Sequence, residues 1–336
     1  MPGLTGIIGA GISGLAAARE LTDRGFEVRV FEKSRGLGGR AATRRRGRMS
    51  FDHGAQYFTV RSRGLARAIE PLLDRGSVAL WTSRIVRLNP DGIRQPAPPA
   101  DRYVGVPGMS MLGRALAGIL PVTRNTRIST LRRERDGSWT PVSADGELLD
   151  RFESLIVTCP APQASELLRS ASPDLSGVCR SAEMLPCWAA MVAFESPLGL
   201  DFDAAFVTDD RLAWASREAS KPGRAPEPEC WTLHGTPEWS VAQLEENPDR
   251  VASALLDRFL ERSGAEPQDP VHLEAHRWRY ARSSESRSVA SAVDADARIA
   301  IAGDWTVGNR LEAAWSSGVE AARAIAAFEP SRTPPA

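Results

Sequence analysis

The segment Gly9-Ala10-Gly11-Ile12-Ser13-Gly14 constrains this chain more than any other. It follows the apolar run 4–8 and opens a stretch with Leu15, Ala18 and Leu21 at helical spacing, closed by Gly25. Residues 27–32 then alternate like a strand, with Val28, Val30 and Phe31 apolar, and end on the carboxylate of Glu32. A glycine-rich turn between strand and helix, with an acidic residue closing the second strand, predicts a nucleotide-binding βαβ unit. Gly9 allows the tight turn, Gly11 lets the backbone approach a pyrophosphate, and Gly14 lets helix and strand pack closely. The helix start offers free amides and the positive end of a dipole to phosphate, and Glu32 can accept two ribose hydroxyls. The bland alternative is a glycine-rich turn with no ligand. The strand, helix and carboxylate around this turn argue against it.

At 336 residues the chain is too long for one ordinary core and suits two interleaved domains. Lys plus Arg and Asp plus Glu are both 42, so no global basic field exists to hold nucleic acid or an anionic membrane. The lysines are Lys33 and Lys221 alone, so any mechanism that needs a lysine has two candidates. Cys159, Cys179, Cys187 and Cys230 form no CxxC pair, which disfavours zinc and dithiol chemistry and predicts reduced thiols in a cytoplasmic protein. The apolar start lacks the basic leader of a signal sequence, and no apolar run reaches the length of a membrane span.

Further along, 65–73 reads as a helix and 77–104, with Pro90, Pro96, Pro98 and Pro99, as strands with a long turn. A helix is expected within 106–120, and a meander over 127–135 and 138–143 around Asp136-Gly137. Residues 152–159 read as a central strand. The block 185–240, with Trp188, Trp214, Trp231 and Trp239, reads as the sheet of a second domain, followed by a helix over 247–262 and a strand over 272–282. A last buried strand, 298–302, precedes a helix from about 311 to 328. These elements predict an α/β protein with a Rossmann-type domain over 1–60, 103–165 and 283–330. A smaller α+β substrate domain would take 61–102 and 166–282, with a disordered tail at 331–336.

Arg35-Gly36-Leu37-Gly38-Gly39-Arg40 resembles the RxGGR signature of the glutathione-reductase and amine-oxidase class of FAD proteins. Paired glycines keep the backbone low over the cofactor, and Arg40 can neutralise the pyrophosphate. Gly303-Asp304-Trp305 and the helix opening Asn309-Arg310-Leu311-Glu312-Ala313 resemble the closing motif of the same class, in which the aspartate bonds the ribityl chain and the helix start faces the flavin. The fold so implied is amine-oxidase or hydroxybenzoate-hydroxylase-like. The resemblance extends the FAD set to Gly9, Gly11, Ile12, Ser13, Gly14, Glu32, Lys33, Gly39, Arg40, Gln56, Ile128, Gly303, Asp304, Glu312 and Ala313. No second GxGxxG is present to hold NADPH, and no cysteine lies beyond 230 to make a thioether, so FAD is expected to be non-covalent.

Between these ends, Phe51-Asp52-His53-Gly54-Ala55-Gln56-Tyr57-Phe58-Thr59 resembles the DHGAQYFT segment of renalases, and His276-Arg277-Trp278-Arg279-Tyr280-Ala281 is similar to a second stretch of bacterial renalase-like proteins. Ser220-Lys221-Pro222-Gly223-Arg224 is another. The resemblance implies oxidation of 1,6- or 1,2-dihydro isomers of NAD(P) to β-NAD(P)+. Hydride would pass to FAD, and O2 would reoxidise the flavin to give H2O2. Loss of hydride creates an aromatic cation, so the step needs a flat, orienting site rather than a strong base.

Gln56, Tyr57, Phe58, Thr59, His234, Trp278 and Tyr280 are the candidates for that site, with Tyr57 and Phe58 against the flavin face and Trp278 and Tyr280 opposite. Each has a plainer reading as core, which holds more strongly for Trp188, Trp214, Trp231 and Trp239. His234 is open between site and core, and Lys221, beside Pro222 and Gly223, reads as a solvated loop lysine. No certain catalytic residue and no metal ligand are expected. The competing readings are a flavin amine oxidase, a pathway-specific oxidase or desaturase on another small substrate, and a flavin-binding protein without turnover. The sequence leaves oligomeric state open.

Overall fold

The computed structural model describes residues 3–90, 94–284 and 292–328. Its contacts divide the chain into two compact units: unit 1 is Met1–Gly39, Gly113–Met184 and Arg282–Ala336, and unit 2 is Arg40–Leu112 and Leu185–Ala281. The division differs from the expected domains. Residues 40–60 and 103–112, expected with the nucleotide fold, fall in unit 2. Their backbone pairs there: Phe58 and Tyr103 exchange hydrogen bonds of 2.9 and 2.8 Å, and Ala55 donates to the Arg40 carbonyl. Unit 2 is therefore as large as unit 1, not smaller as expected. Residues 166–184, expected with the substrate domain, fall in unit 1 because the helices Ala161–Leu168 and Pro173–Arg180 send Leu168, Leu175 and Cys179 into its core. The expected tail, 331–336, and residues 285–291 and 329–330 of the expected nucleotide domain lie outside the described residues.

Unit 1 has an α/β, Rossmann-like fold. Among the described residues its sheet runs in the order Ala292–Asp294, Ile299–Ile301, Ser154–Val157, Thr5–Ile8, Val28–Phe31, Val122–Thr123. All neighbours are parallel except the Ala292–Asp294 edge pair. Thr5–Ile8 and Ser154–Val157 are buried along their whole length, which explains why each is free of polar side chains but for one hydroxyl residue. The helices Ile12–Asp23 and Leu311–Ala326 approach so closely that a Cβ on Gly318 would lie 2.0 Å from the Ser13 carbonyl oxygen. The predicted meander forms as Ile128–Arg133 against Trp139–Ser143, and Trp139 Nε1 donates to the Ala297 carbonyl at 2.7 Å.

Unit 2 is built on a sheet ordered His272–Ser283, Met184–Phe194, Glu229–Gly235, Leu212–Arg217, Ala204–Val207, Ile85–Leu88, Arg94–Pro96. Val251, Leu255 and Phe259 of the helix Pro248–Ser263 pack on Trp188, Phe202 and Trp231. Trp188 and Trp231 are 1% and 0% exposed, and so belong to this core.

Candidate functional site

In unit 1 the first strand ends at the glycine turn. Gly9 has φ +109, and a Cβ on Gly14 would stand 1.9 Å from the Gly9 carbonyl oxygen. Both positions therefore exclude side chains for reasons internal to the protein. Gly11 differs: a Cβ there would meet nothing within 4 Å, so the turn leaves space beside its backbone. Gly38 donates to the Ala10 carbonyl at 2.8 Å, and a Cβ on Gly39 would lie 3.3 Å from the Gly11 Cα. The two glycine segments thus line one cradle. Glu32 is 6% exposed and turned toward it, since Oε2 accepts from the Ala10 amide and Oε1 from the Ser34 amide, both at 2.8 Å.

The cradle fits an anionic nucleotide. Gly11 caps the helix Ile12–Asp23 without a side-chain hydrogen bond, and Ser13 Oγ, in the first turn, is buried with no partner among the described residues. The helix Leu311–Ala326 also starts without a side-chain cap, at Arg310, with Glu312 and Ala313 buried in its first turn. Gly303 and the buried Asp304 lie just before it, and the Gly303 amide donates to Ser317 Oγ at 3.0 Å. Ile128 packs with Ile8 and Phe31 in the core, and Lys33 is exposed with its Nζ donating to Gln163 Oε1 at 3.2 Å. Of the expected cofactor residues, Arg40 and Gln56 lie in unit 2, where Arg40 Nη1 donates to the Ala281 carbonyl at 2.8 Å.

All seven expected substrate residues lie in unit 2. At its polar centre Lys221 is 1% exposed, not solvated as expected. Its Nζ donates to Glu218 Oε2 and Gln56 Oε1, each at 3.1 Å, and lies 3.4 Å from Asp52 Oδ2. Arg224 also pairs with Asp52 Oδ2, and Thr43 Oγ1 and the Met109 amide donate to Oδ1 at 2.6 and 2.9 Å. Two carboxylates thus face two cations, a balance that makes burial of all four tolerable. Burial pulls the Asp52 carboxyl upward, but Lys221 and Arg224 outweigh it and hold it below the usual range. At Glu218 burial prevails and the carboxyl is raised, although Lys221 opposes this. The sequence hides the cluster because Lys221 and Asp52 are 169 residues apart.

Beside the cluster stand the aromatic residues. Trp278 Nε1 donates to the His53 carbonyl at 2.8 Å, and the two rings stack with centroids 5.1 Å apart. His276 meets both rings edge-on, at 4.9 and 4.6 Å. Strand alternation puts His276, Trp278 and Tyr280 on one face, while Arg277 and Arg279 pair with Glu245. Burial lowers His53 to about 3, aided by His276 and Arg44, and lowers His276 to about 4, aided by Arg44. Burial and Lys221 lower His234 to about 4. His272 is also lowered, by burial, with Glu274 opposing. Tyr57 packs with Trp81 and Trp214 at 6.0 and 5.7 Å, and the Arg102 guanidinium lies over its ring. Thr59 and Tyr280 are half-buried. Phe58, expected at the flavin face, is 3% exposed because its ring packs on Tyr103 and its backbone pairs with the same residue.

A family model described as flavin containing amine oxidoreductase matches residues 77–326, and one described as an NAD(P)-binding Rossmann-like domain matches residues 7–72. The first match spans well over half of the chain, so the chain belongs to the flavin containing amine oxidoreductase family. Membership implies an oxidoreductase with a flavin cofactor. Two solved structures share the fold at 15% identity. The "Putative protoporphyrinogen oxidase" of Exiguobacterium sp. 255-15 aligns with TM-score 0.78 over 97% of this chain and 99% of its own. The cyclohexylamine oxidase of Brevibacterium oxydans IH-35A aligns with TM-score 0.73 over the same shares. The zeta-carotene-forming phytoene desaturase of Myxococcus xanthus is 59% identical over 34 residues, 10% of this chain and 7% of that protein. The match therefore spans a small fraction of that curated relative. Among the described residues, no helix is long and apolar enough to cross a membrane.

Proposed function

We propose that this protein binds FAD non-covalently and oxidises 1,6- or 1,2-dihydro isomers of NAD(P) to β-NAD(P)+, as the renalase-like segments imply. The balance is dihydro-NAD(P) plus O2 plus a proton, giving NAD(P)+ and H2O2. The observation that carries the reading is the meeting, within unit 2, of the two segments on which the renalase resemblance rests: His53 of residues 51–59 stacks on Trp278 of residues 276–281 and accepts its hydrogen bond. The bound flavin supplies the hydride acceptor and the site of reaction with oxygen. Gly11, Ser13 and Glu32 would hold its nucleotide half, and Asp304 with the start of the helix Leu311–Ala326 the other half.

The substrate's contribution is loss of hydride from a dihydropyridine, which leaves an aromatic cation and moves no protein proton. The site residues suit that demand. The neutral histidines add no positive charge against the developing pyridinium, and Asp52 and Glu218 are occupied by Lys221. Tyr57, Trp278 and Tyr280 would supply flat surfaces that orient the ring. A flavin amine oxidase or a desaturase is the second reading, favoured by the family description and the local match to the phytoene desaturase.

Anaerobic titration of the yellow holoprotein tests the choice. Either dihydro-NAD(P) isomer should bleach the flavin absorbance rapidly and evenly across neutral pH, ordinary 1,4-dihydro NAD(P)H weakly, and simple amines not at all. Fast bleaching by an amine with a steep pH dependence, and no response to the isomers, would replace this reading with amine oxidation.

A further inference from the structure

Gln56 makes a hydrogen bond at each end of its amide, and the two ends demand opposite partners. Its Oε1 accepts from Lys221 Nζ at 3.1 Å and from Ser216 Oγ at 2.6 Å. One hydrogen of its Nε2 goes to the Asp52 carbonyl, and the other lies between the Gly54 carbonyl at 3.3 Å and His234 Nε2 at 3.4 Å. An ammonium group has three donors and no acceptor, so Lys221 can face only the amide oxygen. Turning the amide over would set its NH2 against the ammonium and its oxygen against two carbonyls. With the amide nitrogen facing His234, a proton on the imidazole Nε2 would be set donor against donor, which favours Nε2 as an acceptor. Its proton then resides on Nδ1.

We propose that Lys221 is a positioning residue that orients the Gln56 amide and, through it, fixes His234 as the neutral, Nδ1-protonated tautomer. The chain of bonds runs from Lys221 through Gln56 to His234, whose imidazole acts electrostatically on His53, the residue that stacks on Trp278. The charged and titratable groups acting on His234 are Lys221 and His53, and its cross-strand neighbours Ala189 and Trp214 carry no charge. Gln56 and His234 thereby serve the shape of residues 52–57 rather than direct contact with the substrate. This inference stands whichever substrate the protein oxidises.

The test reads the tautomer directly, in long-range 1H–15N spectra of the side-chain-labelled holoprotein, with His234 assigned by comparison with His234→Gln. Lys221→Met alone would leave Asp52 and Glu218 facing one guanidinium, so it is paired with Glu218→Gln to keep the cluster neutral. Glu218→Gln alone and Ser216→Ala are the controls. The wild-type protein and both controls should show a proton on Nδ1 of His234. The paired variant and Gln56→Met should each lower the ratio of Nδ1–H to Nε2–H by about tenfold, the weight of one buried hydrogen bond. A wild-type proton on Nε2, or a paired variant that keeps the Nδ1–H form while Gln56→Met loses it, would overturn the proposal.

Discussion

Replacing Gly11 by alanine should separate folding from cofactor binding. Gly11 has φ −72 and ψ 177, a conformation open to any residue, and an added methyl would meet no protein atom within 4 Å. Alanine restricts the unfolded chain, so the flavin-free variant should gain about 0.4–1 kcal/mol of stability. The same methyl would enter the space proposed for the FAD pyrophosphate. Crowding of a packed contact costs about 1–3 kcal/mol, which corresponds to FAD binding weakened about 5- to 150-fold. Gly14→Ala is the contrast. Its methyl would stand 1.9 Å from the Gly9 carbonyl oxygen and 2.9 Å from Thr158 Oγ1, so the flavin-free fold itself should lose stability despite a gain of about 1 kcal/mol in helix propensity. Urea unfolding of the flavin-free proteins and fluorescence titration with FAD measure the two quantities separately. If Gly11→Ala binds FAD as tightly as the unaltered protein, the pyrophosphate does not lie over Gly11.

Three further outcomes are expected. Glu32→Ala should weaken FAD retention and also cost the flavin-free protein about 1–3 kcal/mol in urea unfolding, because the buried Ala10 amide loses its acceptor; stability equal to the unaltered protein would show that water replaces the carboxylate. His53 is held neutral at about 3 against an ordinary value of 6.5, so its contribution to stability is full above pH 6.5 and is lost as pH falls toward 3. At pH 5 the loss should be about 2 kcal/mol, and Tm measured between pH 7 and pH 5 should fall less steeply in His53→Gln. Tyr57→Ala should slow flavin reduction by a dihydro-NAD(P) isomer more than it changes FAD affinity, which stopped-flow bleaching and FAD titration compare directly.

The parts of the fold visible in the sequence are those whose causes are local. The alternation of Val28–Phe31 and the largely apolar runs of Thr5–Ile8 and Ser154–Val157 follow from burial on one or both faces of each strand. No element is expected from the sequence between 160 and 184, where the helices Ala161–Leu168 and Pro173–Arg180 form. In the structure Pro173 sits in the first turn of its helix and Pro160 caps the other, positions where a missing amide costs nothing. The assignment of 40–60 to the nucleotide fold extended a local signature too far. The chain leaves unit 1 between Gly39 and Arg40, within the RxGGR segment itself, and nothing in that motif marks the crossing.

The site shows the same division between local and distant causes. The glycine cradle is legible because Gly9 and Gly14 each answer a backbone requirement within a few residues, while Gly11 leaves open the space beside the turn. The environment of Lys221 is not, because a lysine followed by Pro222 and Gly223 has every local mark of a solvated loop. What buries it is a pair of carboxylates, one three residues before it and the other 169 away, and a carboxamide 165 residues away. An uncompensated lysine would not remain charged there, since removal from water costs several kcal/mol. Asp52 and Glu218 must therefore fold around Lys221 together, and once they do, the ammonium has one donor left over for a neutral acceptor. Gln56 Oε1 takes it, and the orientation of the amide follows from that charge balance together with the Asp52 and Gly54 carbonyls on its nitrogen.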